Sequence, residues 1–152
     1  MEIEKRLAEA GITLPTAPKP VASYVPAKKS GNLLYTSGQL CTVEGKLKYT
    51  GKVGKEVSLE EAYEAAKIAA INCLAVIKQQ IGSLDKIKQI IKVVGYVASD
   101  PGFTDQPKVV NGASDLLAEI FGDKGIHARS AVGAVSLPLN VPVEIEMIVE
   151  VE

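Results

Sequence analysis

The sequence has few of the residues that build metal sites or disulfide frameworks. It contains two cysteines, Cys41 and Cys73, and a single histidine, His127. The cysteines are far apart and form no CxxC pattern, so a zinc site would need a carboxylate to complete it. We interpret both cysteines as free, mostly buried thiols of a reducing compartment, with a redox or metal role as the alternative.

Neither sign of charge is in excess, since 17 basic residues face 18 acidic ones and the formal net charge is −1. This excludes the strongly basic balance by which proteins hold nucleic acid through its phosphates, although a small basic patch remains compatible. The N-terminal segment MEIEKRLAEAG lacks the apolar core of a signal peptide. No apolar run reaches the ~18 residues of a membrane span. We therefore expect a cytoplasmic protein without membrane contact.

Several chemical signatures are also missing. The sequence has no GxxxxGK[ST], HExxH or GxSxG motif, and no GxGxxG followed by a suitable acid. Motifs for nucleotide phosphates, zinc proteolysis and serine hydrolysis are thus absent. What remains is an ordinary globular composition, 47% apolar and 23% charged, in a chain of 152 residues. This length predicts one domain, residues 1–152.

The pattern of apolar residues predicts alternating strands and helices. Residues 2–10 form an amphipathic helix ended by Gly11, and the four prolines within residues 12–31 predict an extended arm. One helix begins at Ser58 with a capping box to Glu61 and ends at Gly82. A second begins at Asp105-Pro107 and ends at Gly122. The predicted strands are residues 33–37, 40–43, 47–53, 87–98, 129–136 and 141–151, with a turn at Glu44-Gly45.

This order of elements predicts an α+β domain, a mixed β-sheet with two helices packed on one face. Residues 141–151 give the clearest signal, because apolar residues alternate there with mostly acidic ones. The outer sides of the strands still include weakly polar residues such as Ala131, Gly133 and Ile148. A half-apolar open face indicates self-association.

Arg129 is the first candidate for chemistry, because Arg6 is the only other arginine. An arginine in an apolar strand is costly to bury unless it is paired. Its planar fork suits a carboxylate, and such a charge-assisted pair contributes about 1.5–3 kcal/mol. Two interpretations stay open: a structural salt bridge with Glu144 or Glu146, or capture of a ligand carboxylate.

Glu144 lies on the last strand, on the side opposite the valines. If residues 129–135 and 141–151 form a hairpin, Arg129 faces residues near position 148. Glu144 then lies roughly 13 Å from it along the sheet, at ~3.3 Å per residue. Arg129 and Glu144 could therefore line two ends of one pocket, or two walls of a site completed by a neighbouring chain. The alternative for Glu144 is a solvated strand carboxylate.

Weaker candidates surround these two. Ser37-Gly38-Gln39 follows a strand, where glycine allows a ligand to approach the backbone, although a plain turn is the simpler interpretation. Tyr24 could be a positioned donor in the arm. Asn111 is unfavourable in mid-helix and indicates a tertiary hydrogen bond. His127 could act as a general base, or it could be a surface residue ahead of a strand.

These segments together resemble the RidA/YjgF/endoribonuclease L-PSP family over about residues 20–151. The residues that carry the resemblance are Tyr24, Ser37-Gly38-Gln39, Asn111, Ala128-Arg129-Ser130-Ala131-Val132, Leu137-Pro138 and Val143-Glu144-Ile145-Glu146. The resemblance implies a chorismate-mutase-like fold and a homotrimer with clefts between subunits. It also makes residues 1–11 an additional N-terminal helix, and Ala131 occupies a position where many members carry cysteine.

The resemblance further implies an enamine/imine deaminase that needs no cofactor or metal. Its substrates would be small imino acids, 2-aminoacrylate/2-iminopropanoate and 2-iminobutanoate, hydrolysed to 2-oxo acids and ammonia. Arg129 would hold the substrate carboxylate, Glu144 would position or activate water, and Tyr24 would orient the substrate. Ser37, Gly38, Gln39, Asn111 and Ala131 complete the implied binding site.

Two other functions remain open. The first is a trimer that binds a small carboxylate without turnover. The second is an endoribonuclease or translation inhibitor, which the balanced charge and the lack of a basic run argue against.

Overall fold

The computed structural model describes residues 2–17 and 23–152. The described part forms three α-helices and seven β-strands. Their bounds are α1 Glu2–Glu9, β1 Ala27–Ser30, β2 Leu33–Thr36, β3 Thr42–Val43, β4 Lys46–Leu47, α2 Leu59–Ile81, β5 Ile87–Ala98, α3 Gln106–Phe121, β6 Ala128–Ala134 and β7 Val143–Val151. Strand β1 was not predicted, and the other elements follow the predicted order, although the predicted strand 47–53 is wrong beyond residue 47 because β4 ends there. Short 3₁₀ turns occupy Leu84–Lys86, Gly122–Gly125 and Pro138–Asn140.

Five strands form one mixed sheet in the order β1-β2-β7-β5-β6. Neighbouring strands are antiparallel except β5 and β6, which run parallel on either side of the α3 crossover. β3 and β4 form a separate ribbon around the predicted turn, where Glu44 and Gly45 have φ of 51° and 79°. Positive φ at both central residues suits a tight hairpin, so the predicted turn is confirmed.

The two long helices cover one face of the sheet, as predicted. Ser58 and Glu61 form the capping box at the start of α2, with both reciprocal hydrogen bonds present. The predicted stripes of both helices are buried; in α2 they are Ala62, Ala66, Ala69, Cys73 and Ile77, and in α3 Val109, Ala113, Leu117 and Ile120. A Cβ at Gly112 would lie 2.0 Å from the Tyr63 carbonyl oxygen, so this glycine lets α3 approach α2 closely. The α+β class is therefore confirmed.

The predicted β6–β7 hairpin is wrong. β7 lies between β2 and β5, while β6 pairs with β5 at the edge of the sheet. The short connection crosses β5 through the Pro138–Asn140 turn, where Leu139 and Asn140 have positive φ. The physical reason is that β5–α3–β6 is a parallel crossover, which places β6 beside β5. β7, whose outward residues are also partly covered, fits the centre of the sheet.

The arm is more structured than its prolines indicate. Residues 27–30 of this segment form edge strand β1, paired with β2. Three of its four residues are exposed, so the sequence shows no apolar alternation there. Residues 18–22 of the predicted arm lie outside the described residues.

The sheet face away from the helices carries both apolar and charged side chains. Exposed Tyr35 and Val132 stand on it, together with half-buried Val94 and Ile148. A concavity of about 210 Å³ opens there, lined by Tyr35, Lys92, Val94, Glu146 and Ile148 among others. The sequence predicts a half-apolar open face, and Ile148 does lie on it. The placement of Ala131 and Gly133 on this face is wrong: they are in register with Gly95 and buried Val97 of β5, so they point to the helix side. Among the described residues, no helix is both long and apolar enough to cross a membrane.

Candidate functional site

Arg129 lies on edge strand β6, in register with buried Val93 of β5. Its guanidinium is held by one face of α3. Nη1 donates to Asn111 Oδ1 at 2.8 Å and to Ser114 Oγ at 3.1 Å, and Nη2 donates to the Pro107 carbonyl at 3.3 Å. Residues 107, 111 and 114 recur at the i, i+4, i+7 spacing of one helix face. Asn111 therefore makes the tertiary hydrogen bond that its mid-helix position predicts.

All three acceptors of Arg129 are neutral. Across residues 2–17 and 23–152, no carboxylate lies within ion-pair distance of its guanidinium, so the structural salt bridge with Glu144 or Glu146 is not formed within the chain. Because a guanidinium has five N–H groups, these bonds leave Nε and one Nη2 hydrogen without a partner in the described part. The side chain is therefore anchored while its positive charge stays uncompensated.

Ala131 stands beside Arg129 on the same face of β6. It is two residues further along the strand and in register with Gly95 of β5. Since alternate strand residues share a face, Arg129 and Ala131 both point to the helix side. The methyl group of Ala131 packs against the core.

Glu144 occupies β7, in register with Tyr96 of β5. It is half-buried, and the carboxylate accepts no hydrogen bond from any residue that the structure describes. Burial raises the pKa of Glu144 above its ordinary value, and the nearby charge of Glu146 raises this pKa further. A partly desolvated carboxylate with a raised pKa binds a proton more readily than an ordinary glutamate, which suits it to proton exchange.

The Ser37-Gly38-Gln39 segment packs next to Glu144. A Cβ at Gly38 would lie 2.0 Å from Glu144 Oε1, so the carboxylate occupies the space that a side chain would fill. Gln39 forms a two-way backbone pair with Ile145 of β7, which fixes the segment against the strand. The Gln39 side chain is buried and its amide lies 3.5 Å from the Ser37 carbonyl.

Ser37 also ties the arm to this segment. Its hydroxyl donates to the Val25 carbonyl at 2.6 Å, and its N–H donates to the Pro26 carbonyl at 2.8 Å. Tyr24, one residue before Val25, is 54% exposed and so presents its phenol to the surroundings. The structure thus places Gly38 against Glu144, with Ser37 beside it in the chain and the Tyr24-Val25 segment hydrogen-bonded to Ser37. Gln39 belongs to this segment through its backbone only: it is in register with Ile145, so its buried side chain lies on the helix side of the sheet.

The predicted residues fall into two groups on opposite faces of the sheet. Arg129 is in register with Val93 and Glu144 with Tyr96, three residues apart on the same strand β5. Because strand side chains alternate, an odd separation places the two side chains on opposite faces. We call Arg129, Asn111 and Ala131 the arginine half-site, and Glu144 with the adjoining residues Tyr24, Ser37 and Gly38 the glutamate half-site. One chain alone therefore does not join them in a single pocket.

Tyr96 and Glu146 extend the glutamate half-site. Tyr96 was missed by the sequence reasoning, which named Glu146 only as a possible ion-pair partner of Arg129 and as part of the family resemblance. Tyr96 donates its phenolic hydrogen to Glu146 Oε1 at 2.5 Å, and this bond is the main cause of the raised pKa of Tyr96. The alternation of β7 places Glu144 and Glu146 on one face, which was a usable signal for a carboxylate pair. The cross-strand tyrosine required the register of β5 on β7.

His127 is half-buried and hydrogen-bonded, so it is not a plain surface residue. Its ring contacts Ser114 and the Gly125 carbonyl, and Ser114 in turn contacts Arg129. Ser114 was also missed, although Pro107, Asn111 and Ser114 form a stripe at helical spacing opposite the apolar residues of α3.

The cysteines are both free and buried, as predicted. Burial raises the pKa of the Cys73 thiol to about 12, because the thiolate would be desolvated. Within residues 2–17 and 23–152, no three His, Cys, Asp or Glu side chains come together as metal ligands would.

Comparison with known proteins places this architecture in a defined class. Residues 4–151 match the family model described as "YjgF/chorismate_mutase-like, putative endoribonuclease". The chain belongs to this RidA/YjgF/endoribonuclease L-PSP family, and the predicted chorismate-mutase-like fold is confirmed.

Individual relatives span nearly the whole chain. Protein TCP17 of Trypanosoma cruzi is 38% identical, covering 97% of this chain and 93% of its own length. A 2-iminobutanoate/2-iminopropanoate deaminase of Dermatophagoides farinae is 33% identical, covering 93% and 95%. The crystal structure of Atu1372 from Agrobacterium tumefaciens is 51% identical, with a TM-score of 0.93 and coverage of 99% and 92%.

Proposed function

We propose that the protein hydrolyses small imino acids, such as 2-iminopropanoate and 2-iminobutanoate, to 2-oxo acids and ammonia. The observation that carries this proposal is the anchored, uncompensated guanidinium of Arg129, which only neutral groups of α3 hold. A fixed fork with free N–H groups is a receptor for a carboxylate. A relative named as a deaminase for these substrates supports the same reaction class.

The active form we propose is a homotrimer in which each cleft joins the arginine half-site of one subunit to the glutamate half-site of the next. Two observations support this assembly. The half-sites lie on opposite faces of one sheet, so a second copy is needed to bring them together. The open face also carries exposed Tyr35 and Val132, which packing between copies would cover.

The reaction in such a cleft begins with orientation. Arg129 binds the substrate carboxylate through its free N–H groups, which places the imine carbon at a fixed distance from the opposite wall. Tyr24, together with the Ser37 and Gly38 backbone, borders the other end of the substrate. Positioning of this kind replaces a bimolecular encounter by an ordered one and accounts for a large part of many enzymatic rate gains.

Proton transfer by Glu144 of the partner subunit then completes the chemistry. Its carboxylate takes a proton from water as the water oxygen bonds to the imine carbon, and gives that proton to the imine nitrogen as the π electrons move to it, which yields a neutral carbinolamine. In the second step the carboxylate takes the proton of the carbinolamine hydroxyl as the C=O forms and the C–N bond breaks, and it delivers this proton to the departing nitrogen. The products are a 2-oxo acid and ammonia, and Glu144 ends as it began.

The demands on this site are modest. Imines hydrolyse spontaneously in water, so orientation plus one general acid–base group, worth ~10²–10⁴-fold, is enough. Such a reaction needs neither a covalent nucleophile nor a cofactor. That the protein works in the cytoplasm stays a prediction from the sequence.

The test is a coupled assay that generates 2-iminopropanoate or 2-iminobutanoate in a semicarbazide trap. The proposal predicts that added protein lowers semicarbazone formation in proportion to its concentration and releases the 2-oxo acid. Saturable binding of 2-oxobutanoate with no acceleration would instead indicate a carboxylate-binding protein. RNA cleavage, with affinity that falls steeply as salt rises, would indicate the ribonuclease alternative.

A further inference from the structure

A chain of hydrogen bonds runs from the backbone through His127 and Ser114 to Arg129. His127 Nδ1 lies 2.6 Å from the Gly125 carbonyl oxygen, and Nε2 lies 2.9 Å from Ser114 Oγ. Ser114 Oγ is in turn 3.1 Å from Arg129 Nη1. These bonds connect the Gly122–Gly125 turn, through His127, to Ser114 on α3 and from there to Arg129 on β6.

The chemistry of the two ends fixes the direction of the two terminal bonds in this chain. A carbonyl oxygen only accepts, so His127 carries its hydrogen on Nδ1. A guanidinium only donates, so Ser114 Oγ accepts from Arg129 with a lone pair. With the imidazole hydrogen on Nδ1 only, Nε2 is an acceptor and the Ser114 hydrogen points to it. Each donor is matched by one acceptor, and successive bonds polarise one another in the same sense.

We propose that His127 and Ser114 are positioning residues that hold the Arg129 fork in the orientation that receives the substrate carboxylate. This inference rests on the proposed function. A serine in mid-helix is free to rotate its hydroxyl and to bond the carbonyl of the preceding turn. By accepting the Ser114 hydrogen, His127 fixes the orientation of the Ser114 hydroxyl, so that a lone pair of Ser114 Oγ points toward Arg129 Nη1. Asn111 holds the second Nη1 hydrogen, so the guanidinium plane is set by two side chains at once.

The anchor of this chain is packed against α3. A Cβ at Gly125 would lie 2.1 Å from the Leu117 carbonyl oxygen, so the turn lies directly on the helix. The carbonyl that His127 contacts therefore belongs to a turn packed on the helix that carries Ser114 and Asn111. We call the hydrogen-bonded series Gly125, His127 and Ser114 the relay. It contacts the same helix, α3, that carries the acceptors of Arg129.

The experiment measures the dissociation constant (Kd) for 2-oxobutanoate by calorimetry, and KM and kcat for 2-iminobutanoate, in full-length variants. Ser114→Ala and His127→Phe should each raise Kd and KM about tenfold, the scale of one hydrogen bond to a charged group, with kcat within about twofold of wild type. Ser114→Thr, which keeps the hydroxyl, should restore Kd to near wild type. The double variant should be little worse than either single one, because both break the same chain.

The controls separate this inference from the proposed function. Ser136→Ala removes an exposed hydroxyl outside the relay and should leave Kd unchanged. If His127→Phe and Ser114→Ala bind 2-oxobutanoate like wild type while Arg129→Ala does not, the relay is wrong and the proposed function stands. If Arg129→Ala also binds like wild type, both fail. Should His127→Phe unfold, the Ser114→Ala and Ser114→Thr pair decides the question alone.

Discussion

The Glu144 carboxylate fills the space where a side chain on Gly38 would be, because a methyl group at that position would lie 2.0 Å from Glu144 Oε1, closer than any real contact. The carboxylate thus rests against bare backbone at the end of β2. Among the described residues of the glutamate half-site, Glu144 is the carboxylate without a hydrogen-bond partner, and its contact with Gly38 sets its position. We therefore expect substitutions at Gly38 to affect function.

Gly38→Ala should lower kcat/KM about tenfold or more while changing the melting temperature (Tm) little. The added methyl group meets the far end of a flexible side chain, so Glu144 can swing aside and the fold survives, but the carboxylate loses its position. The measurement is the imine assay together with thermal unfolding. Gly102→Ala is the matched control, because its Cβ would enter open space. Wild-type kinetics in Gly38→Ala would show that the carboxylate position does not matter.

Glu144→Gln should abolish most activity yet raise Tm at pH 7. The pKa of Glu144 is raised in the folded state, so the folded chain binds its proton more tightly than the unfolded chain does. Stability from this group is therefore present at low pH and lost as pH rises through the folded pKa. The gain in Tm of the Glu144→Gln variant over wild type should shrink as the pH falls below 4.5, the ordinary pKa of a glutamate side chain.

Activity loss of about 10²-fold or more is expected for Glu144→Gln, the scale of a general acid–base group. In the wild type the rate should rise with pH as Glu144 ionises, with a midpoint above 4.5. Glu152→Gln, at an exposed carboxylate, is the control for both readouts. A lower Tm for Glu144→Gln at pH 7 would mean that the carboxylate is stabilised by a partner.

Asn111→Asp should raise KM for an imino acid about tenfold or more with little change in kcat. The substitution keeps the shape but places a carboxylate 2.8 Å from Arg129 Nη1, where it competes with the substrate for the guanidinium charge. Thermal stability should be unchanged or higher, since a new ion pair forms. Asn32→Asp, at an exposed turn, adds the same charge elsewhere. Equal KM values for the two variants would contradict a carboxylate-binding role for Arg129.

Val132→Glu should block assembly. Val132 is 44% exposed on the open face of edge strand β6, and a charge there would be desolvated in a packed interface. Light scattering should give three times the chain mass of 16.1 kDa for the wild type and the monomer mass for the variant, with loss of activity. Val135→Glu, at an 83% exposed position beyond β6, should remain trimeric. A monomeric wild type with full activity would rule out the shared cleft.

The sequence predicted the elements well wherever local chemistry decides them. The capping box at Ser58 and the Ile/Val-rich run of β5 act within one element, so β5 was predicted with its true bounds, Ile87–Ala98. The hairpin prediction failed because a short connection usually joins paired strands, whereas the pairing of β5 with both β6 and β7 is a property of the whole sheet. Strand β1 was missed because Lys28 and Lys29 are exposed at an edge.

The candidate site shows the same division. Asn111 was identified because a mid-helix asparagine is locally unfavourable, and the structure supplies its partner, Arg129. Ser114 and His127 gave no comparable signal, because their role depends on how α3 packs on β6. The opposite orientation of Arg129 and Glu144 follows from strand parity only after the register with β5 is known.

The role of Arg129 is tested most directly by the steady-state kinetics of 2-iminobutanoate hydrolysis in wild type, Arg129→Lys and Arg129→Ala. The account predicts a loss in kcat/KM of about ten- to a hundredfold for alanine, the scale of a charge-assisted bidentate pair, and a smaller loss for lysine, which keeps the charge without the fork. Arg6→Ala, the other arginine of the chain, should match wild type. Arg129→Ala with wild-type kcat/KM would contradict the account.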